Sequence, residues 1–155
     1  MPPRSRLPAF ALAAALALGA SAALAQDDDS DDGPAVPPIV VSIQGSCTLT
    51  VAGQDVPCRG VAYMVFPSNG RIDFTAITET AGWSFSGEQD DNEDGQYALE
   101  IDSILGPSAG RVDAEGECDM VVAGDRRTVQ SLECRAQTED GDLVLKASGA
   151  ISTDD

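Results

Sequence analysis

The sequence contains no histidine, and that absence excludes several kinds of active site. Without histidine the chain lacks the most common general base, every Ser-His or Cys-His catalytic arrangement and most catalytic zinc designs. The four cysteines form an even number in a short chain, which favours two disulfides over free thiol nucleophiles. We therefore expect a protein that is not an enzyme and holds no cofactor, with calcium as the one metal ion to consider.

Long apolar runs are absent beyond the first residues of the chain. Residues 1–25 combine two arginines with the apolar run FALAAALAL and end in the small-residue pattern ALA. That run is too short to span a membrane, so the pattern indicates a cleaved signal peptide, with an uncleaved anchor as the alternative. We expect a periplasmic or secreted protein that begins at Gln26 and does not insert into a membrane.

Positive charge is scarce as well. The chain has 9 Lys and Arg residues against 26 Asp and Glu residues, a formal net charge of −17. Removing residues 1–25 takes away two arginines and no acid, which leaves 7 basic and 26 acidic residues and a net charge of −19. Such a charge repels nucleic acid and anionic membrane surfaces. It suits a cation or a basic protein partner, and solubility alone is the simpler explanation.

Composition divides the rest of the chain into a leader, one domain and a short tail. Residues 26–38, QDDDSDDGPAVPP, hold five aspartates and three prolines and too little apolar surface to fold, so we predict a disordered acidic leader. Residues 39–151 are long enough for one domain with a modest core. Residues 152–155 are predicted to be a frayed tail.

Within the domain almost every apolar pattern has the period of a β-strand. RIDFTAI alternates strictly, which places Ile72, Phe74 and Ala76 on the apolar face of a strand and Asp73 on its polar face. YALEID and WSFSG repeat the alternation. Turn sequences such as PSNG, GPSAG and EDGD separate these runs at intervals of about 8 to 12 residues. The sequence therefore predicts an all-β protein of about eight or nine antiparallel strands, folded as a small barrel or sandwich.

The cysteine positions match two hairpins. If Ala52-Gly53 forms a two-residue loop, Cys47 lies directly opposite Cys58, and antiparallel neighbours are close enough for a disulfide. Cys118 and Cys134 are likewise symmetric about Arg126, in a loop with an odd number of residues. We predict the pairs Cys47–Cys58 and Cys118–Cys134 in preference to the two other pairings that four cysteines allow.

The segment GSCTLTVAGQDVPCRGVAYMVFPSNGRIDF, residues 45–74, resembles part of a group of small exported proteins of Gram-negative bacteria. The likeness lies in the paired cysteines, the aromatic strand and the N-G-R turn. It implies an exported β-rich protein. No activity or site residue comes with it.

An acidic stretch around residue 92 has the spacing of a calcium loop. Asp90, Asn92 and Asp94 match its first, third and fifth positions, Gly95 matches the glycine, and Gln96 offers a backbone carbonyl. The twelfth position holds isoleucine instead of the bidentate glutamate, and flanking helices are not predicted. A solvated acidic loop between two strands is the alternative interpretation.

Arg126 and Arg127 form the clearest basic spot in this acidic sequence. They fall at a predicted hairpin tip, where they are either part of a solvated turn or a contact for the carboxylates of a partner. The sequence favours an exported, non-enzymatic β-domain that binds an unidentified ligand or acts structurally. A secreted inhibitor of a lysozyme or protease is the alternative, by analogy of fold, and a calcium-binding module is a further one.

Overall fold

The computed structural model describes residues 36–90, 94–108 and 110–153. Each strand pairs antiparallel with the next, and the last pairs with the first, so the sheet closes into a barrel. The all-β prediction is confirmed, and the barrel is the correct one of its two alternatives. The eight strands are β1 (Ile39–Val51), β2 (Gln54–Phe66), β3 (Arg71–Thr78), β4 (Gly82–Gln89), β5 (Gln96–Gly106), β6 (Gly110–Val122), β7 (Thr128–Thr138) and β8 (Gly141–Ser152).

The described ranges contain no helix long and apolar enough to cross a membrane.

The core of the protein is the lumen of the barrel. On β3 the predicted inward residues Ile72, Phe74 and Ala76 are all buried, with 4%, 3% and 0% exposure. An eight-stranded barrel has an interior just wide enough for side chains to fill it. The middle of the lumen is filled by the largest fully buried side chains, which include Phe85, Leu49, Ile104, Leu132 and Leu145.

Both predicted disulfides are present, each joining neighbouring strands of a hairpin. Ala52 and Gly53 have φ values of 48° and 77°, as a two-residue hairpin turn requires, and Cys47 faces Cys58 with Cα atoms 5.4 Å apart. Cys118 pairs directly with Cys134, with a Cα–Cα distance of 3.9 Å. Cys118 and Cys134 are fully buried in the lumen, whereas Cys47 and Cys58 are partly exposed.

Barrel closure depends on a close approach of β1 and β8. Gly45 pairs with Gly149 in this ladder, and a Cβ atom on Gly45 would lie 2.2 Å from the backbone oxygen of Ser148. No side chain fits at that distance, so the first and last strands meet only because glycine occupies both positions.

The two ends of the barrel are built differently. We call one end the floor: it carries the connections β1–β2, β3–β4, β5–β6 and β7–β8. We call the other end the mouth: it carries the connections β2–β3, β4–β5 and β6–β7, together with the start of β1 and the end of β8.

Candidate ligand-binding site

A cavity of about 190 Å³ lies at the mouth of the barrel. Strands from both ends of the chain and from its middle contribute to it, because β1 and β8 are neighbours in the closed sheet. Its wall is mostly aliphatic, formed by Val41, Ile43, Met120, Val122, Val129 and Ile151. An apolar recess with few polar groups is the usual chemistry of a small-molecule site.

Two tyrosines add hydroxyl groups to this apolar wall. Tyr63 and Tyr97 both line the cavity, and the Tyr63 ring packs on Phe74 with ring centroids 5.0 Å apart. Burial, together with the neighbouring Tyr97, raises the pKa of Tyr63 above its ordinary value. The Tyr63 phenol is therefore neutral near pH 7 and able to donate a hydrogen bond.

Arg126 is the charged residue of the cavity wall. It also lines a more polar recess of about 390 Å³ immediately outside, together with Asp94, Gly95 and Tyr97. The mouth thus combines an aliphatic wall that includes two tyrosines with an outer recess bordered by Arg126 and Asp94.

The floor, in contrast, is filled. Its cavity measures only about 60 Å³ and is bordered by Trp83, Ile104 and Leu143. The Trp83 ring lies over Gly106 so closely that a Cβ atom there would come within 2.7 Å of it. Trp83 therefore acts as a plug, and a bulkier residue than glycine beneath it would displace the ring.

The outer wall carries a polar network that sequence reasoning missed. Arg71 donates two hydrogen bonds to Asp102, at 2.8 and 2.6 Å, and this contact holds the pKa of Asp102 at about 2. Asp73 is only 8% exposed although it points outward, and it accepts a hydrogen bond of 2.6 Å from Ser86. Alternation predicted the outward direction of Asp73, but not its burial.

Three of the predicted calcium residues, Asp90, Asp94 and Gln96, lie around the β4–β5 connection at the mouth. Asp90 and Asp94 are on its two sides, Asn92 lies outside the described residues, and Gln96 begins β5 paired with Val121. Gly95 has a φ of 79°, which suits the glycine position of a calcium loop. Within the described ranges no group of three or more acidic, histidine or cysteine side chains is arranged to hold a metal ion. Calcium binding remains a prediction.

Arg126 and Arg127 lie together in the β6–β7 loop, as the hairpin prediction required. Their environments differ, because Arg126 borders both recesses of the mouth and Arg127 borders neither. The sequence signal for the site was therefore the arginine pair. The apolar cavity had no sequence signal, since its wall comes from six separate strands.

Comparisons of this chain with protein-family models, with curated proteins and with solved structures found no match.

Proposed function

We propose that this protein is an exported, non-enzymatic binding barrel that holds a small apolar molecule in its mouth. The observation that carries the proposal is the unfilled aliphatic cavity of about 190 Å³ at that end. Elsewhere in the lumen, buried side chains occupy the space. Two disulfides suit an oxidising compartment, which supports a periplasmic or secreted location.

The size and chemistry of the cavity narrow the ligand. Sites for drug-sized molecules measure about 300 to 1,000 Å³, so this cavity fits a short aliphatic chain or a single ring. Its wall presents aliphatic side chains and two tyrosines, an arrangement suited to holding a ligand by burial of apolar surface. The carboxylate groups of the described wall, such as Asp102 and Glu133, lie on the outside of the barrel and do not line the cavity.

Calorimetric titration with 1-hexanol tests this proposal, using a pair of substitutions on adjacent residues. Val41 lines the cavity, whereas Val40 is 48% exposed on the outer face. Val41→Phe fills the cavity and is expected to abolish most of the binding heat, because the hexyl chain loses its space. Val40→Phe adds the same side chain outside and is expected to bind as the original protein does.

Urea denaturation of both variants serves as the control for folding. The proposal is overturned if the original protein gives no binding heat, or if folded Val41→Phe binds 1-hexanol as well as Val40→Phe does.

Inhibition of a lysozyme or protease, and calcium binding as the main role, stay predictions.

A further inference from the structure

The basic side chains of this acidic protein are nearly all engaged. Among the described residues, Arg59 pairs with Glu79, Arg71 with Asp102, and Glu133 pairs with both Arg135 and Lys146. The Arg111 guanidinium donates a hydrogen bond to Ser103. The side chains of Arg126 and Arg127 have neither an ion pair nor a hydrogen bond within the described ranges, and both lie at the mouth.

The β6–β7 loop holds Arg126 in an unfavourable backbone conformation. Arg126 has a φ of 55°, in the left-handed region that residues with a Cβ atom avoid. The Asp125 carboxylate fixes the loop by accepting hydrogen bonds from the backbone N–H groups of Arg127 and Thr128, at 2.8 and 3.1 Å. Strain of this kind often marks a functional position.

We propose that the ligand of the mouth is a short-chain aliphatic carboxylate, whose chain fills the cavity and whose carboxylate pairs with the Arg126 guanidinium. This inference rests on the proposed function and adds the head group of the ligand. Arginine presents a planar fork of donors that matches the two oxygens of a carboxylate. The net charge of −17 disfavours a multiply charged head group such as phosphate, so a monoanion is the better fit.

A second charged residue at the mouth makes the proposal more specific. Asp94 borders the same outer recess and repels an anion there. The carboxylate must therefore sit on the Arg126 side of the rim, and removing the Asp94 charge is expected to strengthen its binding.

The test compares hexanoate with 1-hexanol, which share a hexyl chain and differ in charge. Calorimetry at low ionic strength is expected to give about tenfold tighter binding of hexanoate to the original protein, the lower end of the range for a hydrogen bond to a charged group. Arg126→Gln is expected to remove that preference, so that hexanoate and 1-hexanol bind the variant with similar affinity. Arg127→Gln makes the same change of net charge one residue away and is expected to retain most of the preference, while Asp94→Asn increases it.

The outcomes separate the two proposals. If hexanol binds and hexanoate binds no better, the head-group inference is wrong and the binding barrel stands. If neither ligand binds, both are wrong. If Arg126→Gln and Arg127→Gln weaken hexanoate binding equally, a diffuse positive potential rather than a pairing with Arg126 explains the preference, and the inference is again overturned.

Discussion

The two ends of this barrel are formed by the same set of strands but differ in how completely side chains fill the lumen. At the floor, short turns bring the strands together, and Trp83 plugs the lumen to leave a cavity of about 60 Å³. At the mouth, Tyr63 and Tyr97 stand at the wall, and a cavity of about 190 Å³ stays unfilled. The floor is thus closed by packing, whereas the mouth leaves the space that the proposed function assigns to a ligand.

Removing one aromatic residue at each end is the most disruptive test of this comparison. Trp83→Ala is expected to lower the free energy of unfolding by about 3 kcal/mol, because the plug loses its packing and leaves a void. Tyr97→Ala at the already open mouth is expected to cost about 1 kcal/mol. Urea denaturation measures both losses in the free energy of unfolding. Calorimetry should show weaker hexanol binding for Tyr97→Ala and unchanged hexanol binding for Trp83→Ala. Equal losses of stability at the two ends would contradict the assigned division of roles.

Among the described residues, Ala52 and Arg126 are the two that have a positive φ without being glycine. Replacing either by glycine is expected to change the free energy of unfolding by less than the aromatic substitutions do, and in the opposite direction. Ala52 at the floor and Arg126 at the mouth have φ values of 48° and 55°, so Ala52→Gly and Arg126→Gly each relieve strain. Each is expected to raise the free energy of unfolding by about 0.5 to 1 kcal/mol. Only Arg126→Gly should also lose the preference for hexanoate, whereas Arg127→Gly, where no positive φ is relieved, should bring no gain in stability.

If Arg126→Gly gains stability and still binds hexanoate as tightly as the original protein, the proposed pairing is wrong, because the Arg126 side chain is then not needed for binding.

The smallest expected effect concerns the outer wall between the two ends. Hydrogen bonds from Arg71 lower the pKa of Asp102 from 3.8 to about 2, so the pair stabilises the folded state above pH 3.8 and loses that contribution as the pH falls through about 2. The pair is partly exposed, and its contribution is therefore below about 1 kcal/mol. Asp102→Asn should lower stability by that amount at pH 6 and by much less at pH 2, as urea denaturation at both pH values would measure.

Asp102→Asn should leave hexanoate binding unchanged, because the Arg71 side chain that it releases lies outside the cavity wall. A change in binding would mean that wall charges, and not Arg126 alone, attract the ligand.

Local features of this fold were readable in the sequence because they depend on neighbours in the chain. The alternation of Ile72, Phe74 and Ala76 gave their direction, and the symmetry of the cysteines about each turn gave both disulfides. Closure was not readable in the same way. It requires β1 to meet β8, and the only signal is a pair of strand glycines, Gly45 and Gly149, which lie far apart in the sequence.

The candidate site was only partly predictable for the same reason. Arg126 stood out as a rare positive charge in an acidic chain. The cavity beside it could not be anticipated, because Val41, Tyr97 and Ile151 come together only when the strands close around the lumen, and six of them contribute to the wall. Nor does alternation reveal which inward positions leave space, since that depends on the side chains facing them from across the barrel.

The most direct test of the account is to map hexanoate onto the protein by nuclear magnetic resonance of its methyl groups. The account predicts shifts for methyl groups at the mouth, on Val41, Val122 and Ile151, and none at the floor, on Val112 and Leu143. Shifts concentrated at the floor or on the outer wall, or no shifts at saturating hexanoate, would contradict it.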